Sequence, residues 1–109
     1  MDTRAIKNLM AARRPRRRRP AGARQAAVAL VLTPGPRGAE GLFIRRARHP
    51  KDPWSGQIGL PGGRRDPADA SLLATALRET EEEAGFRLSE AELLGELDDL
   101  HPHSRTLPD

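Results

Sequence analysis

The chain has no cysteine and no tyrosine. Without cysteine, disulfides and thiolate metal centres are excluded. Aromatic residues are limited to Phe43, Trp54 and Phe86, so a core must be built from Leu, Val, Ile and Ala. Rings for stacking on nucleic-acid bases are equally scarce. No stretch approaches the roughly 18 apolar residues of a membrane-spanning helix. Residues 1–12 lack the apolar segment and cleavage site of a secretory leader. A cytoplasmic protein is the expectation, and 109 residues allow one domain at most.

Acid is nearly missing from the start of the chain. Residues 1–24 hold nine Arg or Lys against one acid, Asp2, a balance of +8; the rest carries −4, and the two give the overall +4. The division read from this is a basic arm over residues 1–24, with a short helix from Asp2 to Ala12 and an Arg/Pro connector, then a domain over 25–109. In residues 13–23, Pro15, Pro20 and dense like charge oppose a helix. Clustered arginine can neutralise phosphates, but no aromatics are interleaved. The connector is the preferred reading, and no nucleic-acid partner is expected.

Gln25 to Thr33 (QAAVALVLT) is an aliphatic, β-branched run that predicts a strand buried on both faces. Pro34 to Glu40 is dense in turn formers and predicts a hairpin connection. Gly41 to Ala47 would be the return strand, with Arg45 and Arg46 either solvating its end or holding a substrate phosphate. Arg48 to Ser55 reads as a loop in which Trp54 is a packed anchor. Gly56 to Leu60 reads as a short strand that delivers a Pro61-Gly62-Gly63 turn.

The stretch from Gly59 to Phe86, GLPGGRRDPADASLLATALRETEEEAGF, organises the rest. Leu72 to Ala84 is free of Gly and Pro and rich in helix formers. Asp66 or Asp69 is the expected cap at its start, with Pro67 close by. Gly85 is the expected stop. At about 100° per residue, Leu73, Ala76, Leu77, Thr80 and Ala84 form a stripe that suits packing on a sheet. Glu79, Glu82 and Glu83 form another, close enough to repel unless a cation lies among them. Oxygen-only donors suit Mg²⁺ or Mn²⁺, and Arg78, four residues before Glu82, can hold it in place.

Arg78 to Phe86, RETEEEAGF, resembles the second half of the Nudix box, REUxEExGU, with Thr80 at a position usually held by a bulky aliphatic residue. The resemblance implies an α+β fold of the α/β/α sandwich type, with a mixed sheet carrying the Nudix helix. It implies metal-dependent hydrolysis of a diphosphate bond in a nucleoside-diphosphate-linked small molecule. Glu79, Glu82 and Glu83 would be the metal ligands, with Glu79, Glu82 and Arg78 as the catalytic set. Gly62, Gly63 and Arg46 would contact substrate. The general box would put its first acid at Ala70 and its glycine at Arg64, so this loop departs from it. PGGxxDxxD, matched by Pro61 to Asp69, resembles the coenzyme A branch, which makes coenzyme A or a derivative the favoured substrate. A degenerate match upstream, with Arg46, Lys51, Gly56 and the PGG, points the same way. Asp69 is the nearest candidate for the missing acid.

Another nucleotide, such as a nucleoside triphosphate or ADP-ribose, is an alternative substrate, and a non-catalytic remnant or Arg-tethered binding module is a third reading. Leu93 to Leu100 predicts a strand. Asp98 and Asp99 would cap its end or support the site, and His101 and His103 would lie in a polar tail. The family resemblance leads one to expect more strands and a helix after residue 100. An incomplete C-terminus would leave apolar surface open, with homodimerisation, aggregation or partial unfolding as the expected consequences.

Overall fold

A computed structural model describes residues 1–45, 56–85, 87–89 and 92–100. The first helix, α1, spans Thr3–Ala11. Asp2 caps it, its carboxylate accepting the Ala5 N–H at 2.8 Å, so a polar side chain satisfies one of the orphan first-turn donors. None of its residues is buried. It is anchored at its ends instead: the Met1 carbonyl accepts the Ala39 N–H at 2.8 Å, and Met10 lies against Gly95.

The aliphatic run at 25–33 does not form one continuous strand. β1 is Ala26–Val28 and β2 is Leu32–Gly35. β1 pairs antiparallel with β6, Gly62–Arg64, in the register Ala27 to Gly63 and Val28 to Gly62. β2 pairs with β3, Gly38–Gly41, across a two-residue turn, Pro36-Arg37. Between β1 and β2 the backbone changes partner: the Ala29 N–H still donates to the Pro61 carbonyl at 2.8 Å, whereas the Val31 carbonyl already accepts the Leu42 N–H at 2.9 Å. Nor is the run buried on both faces: Val31 is inside, but Val28 and Leu30 are at least half exposed.

A third antiparallel pair joins β4, Ile44–Arg45, to β5, Ile58–Gly59. Gly62 and Gly63, expected in a turn, belong to β6, because Ala27 and Val28 take them into a ladder. Leu93 to Leu100 forms no strand; arginines from the start of the chain hold it, as described below.

The second helix, α2, spans Leu72–Ala84 and packs against β1 and β6. Gly85 closes it in the left-handed conformation, φ 80°, its N–H donating to the Glu81 carbonyl. That conformation costs glycine little and other residues more. Its cap at the start is Ser71, whose hydroxyl accepts the Ala74 N–H at 3.1 Å. The two aspartates expected there are used elsewhere. The helix buries Ala76 together with Thr75 and Thr80. Thr80 fits its enclosed position because its hydroxyl donates to the Ala76 carbonyl at 2.7 Å, which leaves no unpaired polar atom. The architecture is α+β, its buried centre lying where α2 crosses the β1–β6 ladder. Phe43 and Ile58 stand largely exposed.

Candidate active site

The site is built on a loop that two aspartates lock against each other. Asp66 accepts the Ala68 N–H at 2.8 Å through its carboxylate, and its carbonyl accepts the Asp69 N–H at 2.9 Å. Asp69 answers by accepting the Asp66 N–H at 2.9 Å. Such side-chain to backbone bonds fix a turn without secondary structure. Asp69 is thereby turned inward, its side chain 7% exposed.

Arg78, in the middle of α2, reaches this carboxylate with a two-pronged grip. Nε donates to Oδ1 at 3.0 Å and Nη2 to Oδ2 at 2.9 Å, the planar fork that makes arginine suited to carboxylates. Nη2 also donates to the Arg64 carbonyl at 3.2 Å, tying the helix to β6. Nη1 turns to the acidic stripe. It donates to Glu79 at 3.0 Å and more weakly to both oxygens of Glu82 at 3.4 Å. One guanidinium therefore gathers three carboxylates from a loop and two turns of helix. The Thr75 hydroxyl completes the Asp69 shell, 2.9 Å from Oδ2 and 3.2 Å from the Ser71 carbonyl.

Gly63 gives Glu79 its room. A Cβ at that position would fall 2.6–2.9 Å from the Glu79 carboxylate. Gly62 is pressed against the β1 backbone instead. Gly63→Ala is therefore expected to displace the Glu79 carboxylate while changing stability little, since the tip of a flexible side chain can move. A divalent-ion titration that gave wild-type affinity for this variant would contradict the placement.

Glu82 and Glu83 are exposed on the next turn. Among the described residues no three acidic or histidine side chains are gathered as a metal centre. Yet Glu79 and Glu82 already converge on one cation, the Arg78 guanidinium, and both offer hard oxygen donors. The donor types suit a hard divalent ion in charge and chemistry, while the point between the two carboxylates is held by the Arg78 guanidinium itself. Arg46 lies outside the described residues, as do Phe86, Trp54, His101 and His103. Asp98 and Asp99 neither cap a strand nor bond to the acidic helix; their partners are Arg13, Arg16, Arg18 and Arg19.

The Arg78 fork holds Asp69 far below the usual carboxylate range, with the Asp66 N–H and Thr75 hydroxyl adding to the effect. Asp69 in turn pushes Arg78 still higher. Asp98 and Asp99 are lowered chiefly by the Arg16 and Arg18 N–H groups, and then by the Arg13 and Arg19 side chains. A carboxylate whose pKa falls on folding contributes stability that is complete above its unfolded value, here 3.8, and fades as pH drops through the lower folded value. Acid unfolding is expected below about pH 4, and Asp69→Asn should flatten the pH dependence of stability there. Equal acid profiles for wild type and Asp69→Asn would refute the pairing.

Thr75 is the site residue that sequence reasoning missed. It lies between Leu73 and Ala76 of the anticipated apolar stripe without belonging to it, and is fully buried. The spacing Asp69-x5-Thr75-x2-Arg78 was the available signal, since i, i+3 neighbours share a helix face.

Residues 23–109 match the sequence profile of the NUDIX domain. Proteins of Yersinia pestis (strain Pestoides F) and Yersinia pseudotuberculosis (serotype O:1b, strain IP 31758), each described as "Uncharacterized Nudix hydrolase NudL", are 46% identical to this chain over 63 residues. That stretch is 58% of this chain and 31% of each relative. The chain therefore spans under a third of the length of the curated proteins it matches.

Proposed function

This chain belongs to the NUDIX domain family, and we propose that it hydrolyses a diphosphate bond in a nucleoside-diphosphate-linked small molecule. The observation that carries the reading is the single guanidinium of Arg78 drawing Asp69, Glu79 and Glu82 together beside the β6 glycines. Glu79, Glu82 and Glu83 are the residues assigned to hold Mg²⁺ or Mn²⁺. Such an ion, when bound, neutralises phosphate charge and acidifies a bound water. Arg78 orients Glu79 and Glu82 toward a common point, and Asp69 fixes Arg78. With its carboxylate enclosed by donors and strongly acidic, Asp69 is a poor proton acceptor and serves as a positioning residue.

Coenzyme A or a derivative is the favoured substrate. The support is the stretch from Pro61 to Asp69, whose two aspartates are spent on a self-locked loop instead of on the helix cap. Gly62, Gly63 and Arg46 are assigned to substrate contact.

A second reading, a non-catalytic binding domain, draws on the position of Arg78, which already sits between Glu79 and Glu82. Two measurements separate the readings. Mn²⁺ titration should show binding that is lost on replacing Glu79 and Glu82. A panel of coenzyme A, ADP-ribose and nucleoside triphosphates, analysed by mass spectrometry, should give an adenosine bisphosphate and a phosphopantetheine from coenzyme A. Glutamate-dependent ion binding without any product from the panel would favour the binding domain.

A further inference from the structure

The arginine-rich segment and the acidic segment after α2 are far apart in sequence, yet they lie side by side. Arg16 and Arg18 give their backbone N–H groups to Asp98 and Asp99 at 2.9 and 2.8 Å. Arg13 bonds Asp98 and the Glu96 carbonyl. Arg17 bonds the Glu96 carboxylate at 3.1 Å, and Arg19 bonds Asp99 at the same distance. The Asp99 N–H donates to the Arg16 carbonyl at 2.8 Å, so the two segments run together as one unit.

The donors used here, alternate main-chain N–H groups flanked by guanidinium forks, are those that hold phosphate oxygens. The charges are unequal. Residues 13–19 carry six arginines, and Glu96, Asp98 and Asp99 supply three carboxylates. Half of the positive charge remains uncompensated. Pro15 and Pro20 keep the segment out of a helix, which leaves its N–H groups available to side-chain acceptors.

We propose that residues 13–19 bind a chain of phosphates, and that Glu96, Asp98 and Asp99 occupy this segment as a built-in stand-in which the ligand must displace. The shortage of aromatic rings removes ring platforms for stacking bases and leaves the phosphates as the main feature to hold. The ligand is therefore a nucleic-acid backbone read without sequence preference, or inorganic polyphosphate. Either would be gated by the chain's own acids. This surface is independent of the hydrolase reading.

The test uses the whole 109-residue chain and a fluorescein-labelled 20-nucleotide oligothymidine, followed by anisotropy at 50 and 200 mM salt. Wild type is expected to bind at the lower salt and to release at the higher. The variant E96Q/D98N/D99N is expected to bind about tenfold more tightly at low salt, because three phosphate-competing charges are gone. Adding R16A/R17A/R18A to that variant should abolish binding. Competition with inorganic polyphosphate of matched charge identifies which source is held better, and tighter binding of either probe by the acid-depleted variant supports the proposal. Equal affinity of wild type and the acid-depleted variant would overturn it, as would absence of binding to both probes or binding that survives loss of the arginines. Should the triple variant lose its helical circular dichroism, D98N and D99N singly are expected to tighten binding in smaller steps, and unchanged affinity in both would overturn it equally.

Discussion

Exchanging Glu82 for Gln is expected to cut turnover by a factor of about 10²–10⁴, the rate equivalent of several kcal/mol of lost charge stabilisation. Glutamine keeps the length of the side chain and an oxygen that accepts from Arg78. What it removes is the negative charge, which strengthens the hold of a carboxylate on a hard divalent ion. Stability should hardly change. Glu82 is 57% exposed, and its bond to Arg78 is the longest of the set at 3.4 Å, so the melting temperature should stay within about 2 °C. The combination matters more than either half. A folded variant with lost Mn²⁺ binding and lost product identifies Glu82 as a working ligand; a folded variant with wild-type turnover removes it from the site.

Gly62→Ala should do the opposite, breaking the fold before the chemistry. A Cβ there would collide with the Ala27 carbonyl oxygen and lie 2.6 Å from the Val28 Cα. Both are backbone atoms of the paired strand, so neither can swing aside as the Glu79 carboxylate can at Gly63. The β1–β6 ladder would have to open, and α2 rests on both of its strands. Overpacking of this kind costs about 3 kcal/mol, or about 15 °C in melting temperature for a domain of this size. A thermal scan placing Gly62→Ala within about 2 °C of wild type would show that the strands are not in this contact.

Part of this was legible in the residues themselves. The extent of α2, its stop at Gly85 and the acidic stripe are local properties, set by helix propensity, the left-handed tolerance of glycine and the helical repeat. What escaped depended on partners distant in sequence. Asp69 looks like a helix cap until Arg78 claims it, after which Ser71 takes the cap. Residues 25–33 look like one strand because composition cannot show that Pro61 holds one end and Leu42 the other. Leu93 to Leu100 has strand-like residues, but its acids answer arginines some eighty positions earlier, and side-chain pairing with the arm replaces a ladder. Thr80 is the reverse case: the residue that fits the family pattern least well is accommodated by a bond to its own helix.

For anyone wishing to transplant this chemistry, the shared guanidinium sets the smallest useful module. A graft of the glutamate-bearing helix alone would leave its arginine free to rotate, because the restraint comes from an aspartate nine positions upstream and a carbonyl on the neighbouring strand. The portable cassette runs without interruption from Gly62 to Gly85, which keeps all three glutamates and the helix stop, and libraries built on it should vary positions 69 and 78 jointly.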